Sequence, residues 1–77
     1  MMTIYTTTWC GFCARLKSAL AHEGIEWDEV DIEEIEDAAE IVESANGGNR
    51  TVPTVVFEDG TALTNPSVAQ VKAKLAA

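Results

Sequence analysis

Two cysteines, Cys10 and Cys13, stand three positions apart in a chain of 77 residues that has no others. Such a pair has three uses: a structural bridge, half of a metal site, or a redox couple. A bridge over two intervening residues closes almost no loop, so it restrains the unfolded chain little. A zinc site usually needs four ligands, and the only other good candidate is His22. His22 is most simply a polar residue at a helix end, and no metal site is assigned. Redox use is the strongest reading that remains.

The flanking residues give the pair a direction. Ile4 to Thr7 is β-branched and aromatic and predicts a strand. Trp9-Cys10-Gly11 is a short turn, and Phe12 to Glu23 places Phe12, Leu16, Ala19 and Leu20 at helical spacing, with Gly24 as a stop. Cys10 thus sits at a helix start, near unpaired backbone N–H groups and the positive end of the helix dipole. Those groups favour thiolate over thiol, and Cys-x-x-Cys placements lower the thiol pKa from about 8.5 to roughly 3.5–7.5. Cys10 is the expected nucleophile. Cys13, one turn further on and more buried, is the expected resolving thiol, so the two would form a redox-active disulfide.

Several neighbours carry a second reading. Gly11 leaves the turn free to adjust. Trp9 and Phe12 are expected to be partly exposed and to touch substrate, whereas Trp27 lies in a strand and suits the core. Arg15 and Lys17 read as ordinary solvated helix residues. Thr51-Val52-Pro53 is the other informative element. A Val-Pro bond before a buried strand suits a cis peptide, and an extended residue before it can pair its backbone with an extended substrate.

The remaining elements must hold these residues in place. Ile25 to Ile32 alternates apolar and polar residues, a second strand. Ile35, Ala38, Ala39 and Val42 form a helix stripe, which Asn46-Gly47-Gly48-Asn49 ends. Thr54 to Phe57 is a third strand, Glu58-Asp59-Gly60-Thr61 a hairpin turn, and Thr61 to Thr64 a fourth strand. Asn65-Pro66 reads as a helix cap followed by the first helical position, with Val68, Val71 and Leu75 as the buried stripe. The order is β-α-β-α-β-β-α, an α/β arrangement with a four-stranded mixed sheet and three flanking helices. Its first βαβ unit favours parallel pairing.

Size and charge narrow the function. A chain this short buries only about 60% of its unfolded surface, so a shallow site is expected on one domain spanning residues 1–77. The net charge is −8, and eleven of thirteen acids fall between Glu23 and Glu43 with no Lys or Arg among them. Nucleic-acid and anionic-membrane roles would want the opposite sign. The acidic band reads first as a solvated face that aids solubility. There is no bilayer-spanning run and no signal-peptide pattern at Met1-Met2-Thr3-Ile4, so a cytoplasmic location is expected.

The combination Thr-Trp-Cys-Gly-Phe-Cys, Thr-Val-Pro some forty residues on, and a hairpin-plus-helix ending resembles glutaredoxins over nearly the whole chain. The resemblance implies a thioredoxin-like fold, thiol–disulfide oxidoreductase activity, Cys10 as nucleophile, Cys13 as resolving cysteine, and a cis Val52–Pro53 bond. Phe12 and Thr51-Val52-Pro53 would line a groove for a low-molecular-weight thiol. Two features depart from the family. Glutaredoxins often carry a Lys three residues before the first Cys, where this chain has Thr7. They also often carry Gly-Gly-x-Asp-Asp at the last helix, where this chain has Thr64-Asn65-Pro66-Ser67-Val68. Both handles for a zwitterionic tripeptide are missing, and Thr7, Asn65 and Ser67 suit a neutral, sugar-like thiol better. Together with Cys-Gly-Phe-Cys and Gly-Gly-Asn-Arg-Thr-Val-Pro, this resembles mycoredoxins, which use mycothiol. The implied co-substrate is mycothiol with no bound cofactor, the implied partners are oxidised, thiolated proteins, and a monomer is expected. Two rival functions are an electron-donor redoxin that uses both cysteines and is fed by thioredoxin reductase, and an iron–sulfur cluster carrier. A non-catalytic binding module is the remaining alternative.

Overall fold

The computed structural model describes residues 1–35 and 37–76. Seven elements follow in order: β1 (Thr3–Thr6), α1 (Gly11–His22), β2 (Asp28–Asp31), α2 (Ala38–Ala45), β3 (Thr54–Val56), β4 (Ala62–Thr64) and α3 (Val68–Ala76). The sheet order is β2-β1-β3-β4. β1 runs parallel to β2, with Thr6 opposite Asp31, and antiparallel to β3, with Ile4 opposite Val55. β4 closes the sheet antiparallel to β3. This is the mixed sheet and element order that the sequence predicts.

Strand alternation divides the core between two faces. Met2, Ile4, Val55 and Phe57 meet Leu16 and Leu20 of α1 and Val71 of α3, with Ile25, Trp27, Leu63 and Val68 packed against them. α2 buries Ala38, Ala39 and Val42 outside that cluster, against the other face. The core is therefore thin, and β1 at its centre ends where the cysteines begin.

Several boundaries differ from the sequence reading, each for a local reason. α1 closes in a Schellman motif: Gly24, at φ +74°, donates its N–H to Ala21 O and Ile25 donates to Leu20 O. Ile25 is thereby drawn into the helix end, and β2 begins only at Asp28. The stripe placed on Ile35 is corrected, because Ile35 is exposed and precedes the helix. Asp31 captures the turn there, its side chain accepting from Glu33 N–H at 2.8 Å and its carbonyl from Glu34 and Ile35. The hairpin has a three-residue loop, with Phe57 N–H bonded to Thr61 O and Gly60 at φ +87°. The cap of α3 is Ser67, not Asn65. Ser67 Oγ accepts from Gln70 N–H at 3.1 Å, and Gln70 Oε1 accepts from Ser67 N–H at 2.8 Å, a reciprocal capping box. Asn65 sits at φ +45° with its N–H on Pro53 O at 2.7 Å. Leu75, expected in the buried stripe, is half-exposed.

Candidate active site

Cys10 is the N-cap of α1, at φ −79° and ψ 109°. Its sulfur accepts a hydrogen bond from the Cys13 backbone N–H at 3.1 Å, as a side-chain cap does. No acidic residue occupies the first turn of α1, so nothing there opposes the positive helix end. The two cysteines are joined as a disulfide, with Cα atoms 5.2 Å apart. They differ in access: Cys10 keeps 8% of its surface exposed and Cys13 none. An incoming sulfur can therefore reach Cys10 and not Cys13.

Val52 faces the pair from the opposite side. Its carbonyl oxygen lies 3.7 Å from Cys10 Sγ, and the Val52–Pro53 peptide is cis. Among the described residues no other backbone group takes the N–H or C=O of Val52. The carbonyl faces Cys10, and the N–H has no backbone partner there. Pro53 lies buried beneath them. The carbonyl of Thr51 is turned inward, accepting from Thr54 Oγ1 at 2.8 Å.

Beside Cys10 opens a groove of about 600 Å³, walled by Thr7, Trp9, Ile32, Glu33, Ala39, Arg50 and Val52. Trp9 is 71% exposed, and its indole Nε1 donates to Glu33 Oε1 at 2.9 Å. The Arg50 guanidinium is paired with Glu43. Thr7 is 4% exposed, and among the described residues its hydroxyl is a buried polar group without a partner. A smaller cleft of about 90 Å³ is lined by Cys10 itself with Thr6, Thr7, Thr8, Ala14, Lys17, Glu29 and Asp31, whereas the larger groove adjoins Cys10 through Thr7 and Val52.

The structure thus brings Trp9, Val52 and Thr7 to one groove and leaves other expected contacts outside its walls. Phe12 is 60% exposed but stands apart from the groove, with Arg15 over its ring at 5.7 Å. Asn65 and Ser67 are not groove walls, and the Ser67 hydroxyl is committed to the α3 cap. Lys17 is more than a solvated lysine: it pairs with Glu29 at 3.2 Å inside the small cleft. Sequence reasoning missed Glu33 and Arg50 as wall residues. For Glu33 a signal existed, because ligands gather beyond the carboxyl ends of parallel strands, and Glu33 follows β2 just as Thr7 follows β1.

Comparison with known proteins agrees with this geometry. The glutaredoxin family profile matches residues 2–61. A Mycobacterium tuberculosis protein named as a glutaredoxin is 66% identical over 74 residues, covering 96% of this chain and 88% of its own length. Mycoredoxin 1 of Corynebacterium glutamicum is 49% identical over 76 residues, covering 99% of this chain and 94% of its own. The solved glutaredoxin of Archaeoglobus fulgidus superposes with a TM-score of 0.81 at 23% identity, covering 99% of this chain and 86% of that one, which establishes a common fold. With this profile over most of its length and these relatives, the chain belongs to the glutaredoxin family of thiol–disulfide oxidoreductases.

Proposed function

We propose that this protein reduces mixed disulfides between proteins and a neutral low-molecular-weight thiol, mycothiol, with Cys10 as the nucleophile. The single observation that carries the reading is the asymmetry of the pair. Cys10 is accessible and its sulfur is capped by a backbone N–H, whereas Cys13 is sealed. The Cys10 thiolate attacks the small thiol's sulfur in the mixed disulfide. The S–S bond breaks, the partner protein leaves as a thiolate and takes up a proton, and Cys10 now carries the small thiol. A second molecule of that thiol attacks as its thiolate, releasing Cys10 thiolate and the oxidised small-thiol dimer.

The choice of a neutral thiol is supported by the groove's charge. Its one basic wall residue, Arg50, is already paired with Glu43, and Glu33 adds a carboxylate. Thr7 stands where a lysine would meet a glutathione carboxylate. The similarity to Mycoredoxin 1 points the same way. The reaction needs one copy of the chain and a reducing compartment, consistent with a cytoplasmic monomer.

The test supplies one mixed-disulfide protein substrate with either glutathione or mycothiol as reductant. Mycothiol is expected to support turnover and glutathione to support little. Cys13→Ser is expected to keep that turnover and Cys10→Ser to abolish it. Turnover with glutathione alone would overturn the choice of thiol, and an inactive Cys13→Ser would overturn the one-cysteine route. The Cys10–Cys13 bond favours a second reading, the electron-donor redoxin that uses both sulfurs. Direct reduction by thioredoxin reductase with no added thiol would support it.

A further inference from the structure

The groove beside Cys10 contains a carboxylate that sulfur exchange does not use. Glu33 lies 24 residues from Trp9 in sequence, yet the two meet side chain to side chain at 2.9 Å. We infer that Glu33, fixed by Trp9, is a specificity-determining residue that admits small thiols with an uncharged polyol body and turns away those bearing carboxylates. This inference rests on the neutral-thiol reading above and assigns that selection to named groups.

Three observations carry it. First, the indole N–H that holds Glu33 is a neutral donor and brings no compensating positive charge. The groove's other charged wall residue, Arg50, is matched by Glu43, so Glu33, Arg50 and Glu43 together contribute −1 beside the reactive sulfur. The small cleft adds the same sign, because Lys17 is matched by Glu29 and Asp31 is left over. An anionic thiol meets like charge in the groove and in the cleft that Cys10 lines, and like-charge juxtaposition is a recognised means of rejecting a wrong ligand.

Second, the Trp9–Glu33 bond ties down the indole while leaving it 71% exposed at the groove. A held aromatic face beside planar hydrogen-bonding groups suits a ring with an apolar C–H face and polar edges. A sugar or cyclitol has that form: its C–H face lies on the indole, and its hydroxyls donate to Glu33 and accept from the terminal guanidinium nitrogens of Arg50. Arg50 uses only Nε toward Glu43. Third, Thr7 at this groove carries a buried hydroxyl without a partner among the described residues. Native proteins seldom leave such a group unsatisfied, and a ligand hydroxyl entering the groove would pair with it.

The experiment uses the whole reduced protein and one reporter peptide joined by a disulfide to mycothiol, to glutathione, or to glutathione dimethyl ester. The ester keeps nearly the size of glutathione and removes both carboxylates, so its remaining ammonium leaves it cationic where glutathione is anionic. For wild type, kcat/KM is expected to rank mycothiol above the ester and the ester above glutathione. Glu33→Gln is expected to raise the glutathione value about three- to fivefold at low salt and to lower that of the cationic ester by a similar factor, as removal of one nearby screened charge does. Trp9→Ala is expected to lower the mycothiol value about tenfold, and Glu40→Gln, the same charge change as Glu33→Gln but outside the groove, is expected to leave the ester-to-acid ratio nearly unchanged. An ester-to-acid ratio that Glu33→Gln leaves unchanged, in a protein that still prefers mycothiol, overturns this inference alone. A wild type that prefers glutathione to mycothiol overturns the neutral-thiol reading and this inference with it.

Discussion

If the start of α1 is what makes Cys10 reactive, a charge placed in that first stretch must move the Cys10 thiol pKa, and its sign must set the direction. Ala14 is the place to put it. It is exposed, it lines the small cleft beside Cys10, and its N–H already donates to the Cys10 carbonyl, a bond that any non-proline side chain preserves. Residues four apart on a helix have Cβ atoms about 5–6 Å apart, which sets a charge-to-sulfur separation of about 7 Å. With an effective dielectric constant of about 60, a unit charge there contributes about 0.8 kcal/mol, or about 0.6 pH unit. Screening reduces this to about 0.5 pH unit at 0.01 M salt and about 0.25 at 0.15 M. Ala14→Glu is therefore expected to raise the Cys10 pKa and Ala14→Lys to lower it, the two differing by about 1 pH unit at low salt. Each is measured in a Cys13→Ser background, where Cys10 is the sole thiol, from the pH dependence of alkylation by iodoacetamide. Ala14→Glu also separates reactivity from folding, because an acid near a helix N-terminus stabilises the helix by about 0.3–1 kcal/mol while disfavouring the thiolate. Midpoints for the two variants within about 0.2 pH unit at low salt, a gap well under the screened estimate, would refute the electrostatic account of Cys10.

Other expectations concern the frame. Ser67→Ala removes half of the capping box on α3 and is expected to cost about 1 kcal/mol in denaturant unfolding with little change in turnover. Leu20→Ala empties a fully buried position between α1 and the sheet and is expected to cost about 2–5 kcal/mol by the same measurement. The Asp59 carboxyl is held well below its usual range by the Thr61 hydroxyl, then the Thr61 N–H, then Lys74. Its folded pKa is depressed, so its contribution to stability is complete above the ordinary value of 3.8 and disappears as pH falls through the folded value. Asp59→Asn is expected to lower the thermal midpoint at pH 7 and to flatten the loss of stability below pH 3.8, and parallel acid curves for the two proteins would contradict this.

Much of this arrangement can be read from local sequence, because local chemistry sets it. A strand, a cysteine at the helix start and Gly24 as the stop follow from short-range pattern, and the Schellman bonds from Gly24 and Ile25 show why that glycine ends α1. The Thr-Val-Pro stretch comes opposite the pair through the antiparallel pairing of β1 with β3, a placement that in the sequence only the family resemblance implies. Where local signals compete, a tertiary bond decides. Asn65-Pro66 has the form of a helix cap, but Pro53 O claims the Asn65 N–H and the cap passes to Ser67, whose partner Gln70 is three residues on. Ile35 fits the α2 stripe by spacing, yet Asp31 folds that stretch into a turn before the helix can begin. The groove was the least legible part. Trp9, Glu33 and Arg50 come from three separate connections, and only the parallel pairing of β1 with β2 brings the first two together.

In the proposed reaction the accessible, capped sulfur takes up the small thiol and releases the protein partner. Mass spectrometry of Cys13→Ser after a single turnover with a mixed disulfide, without added reductant, tests it most directly. A small-thiol adduct confined to Cys10 and a fully reduced protein partner are expected. An adduct between Cys10 and the protein partner, with the small thiol set free, would contradict it.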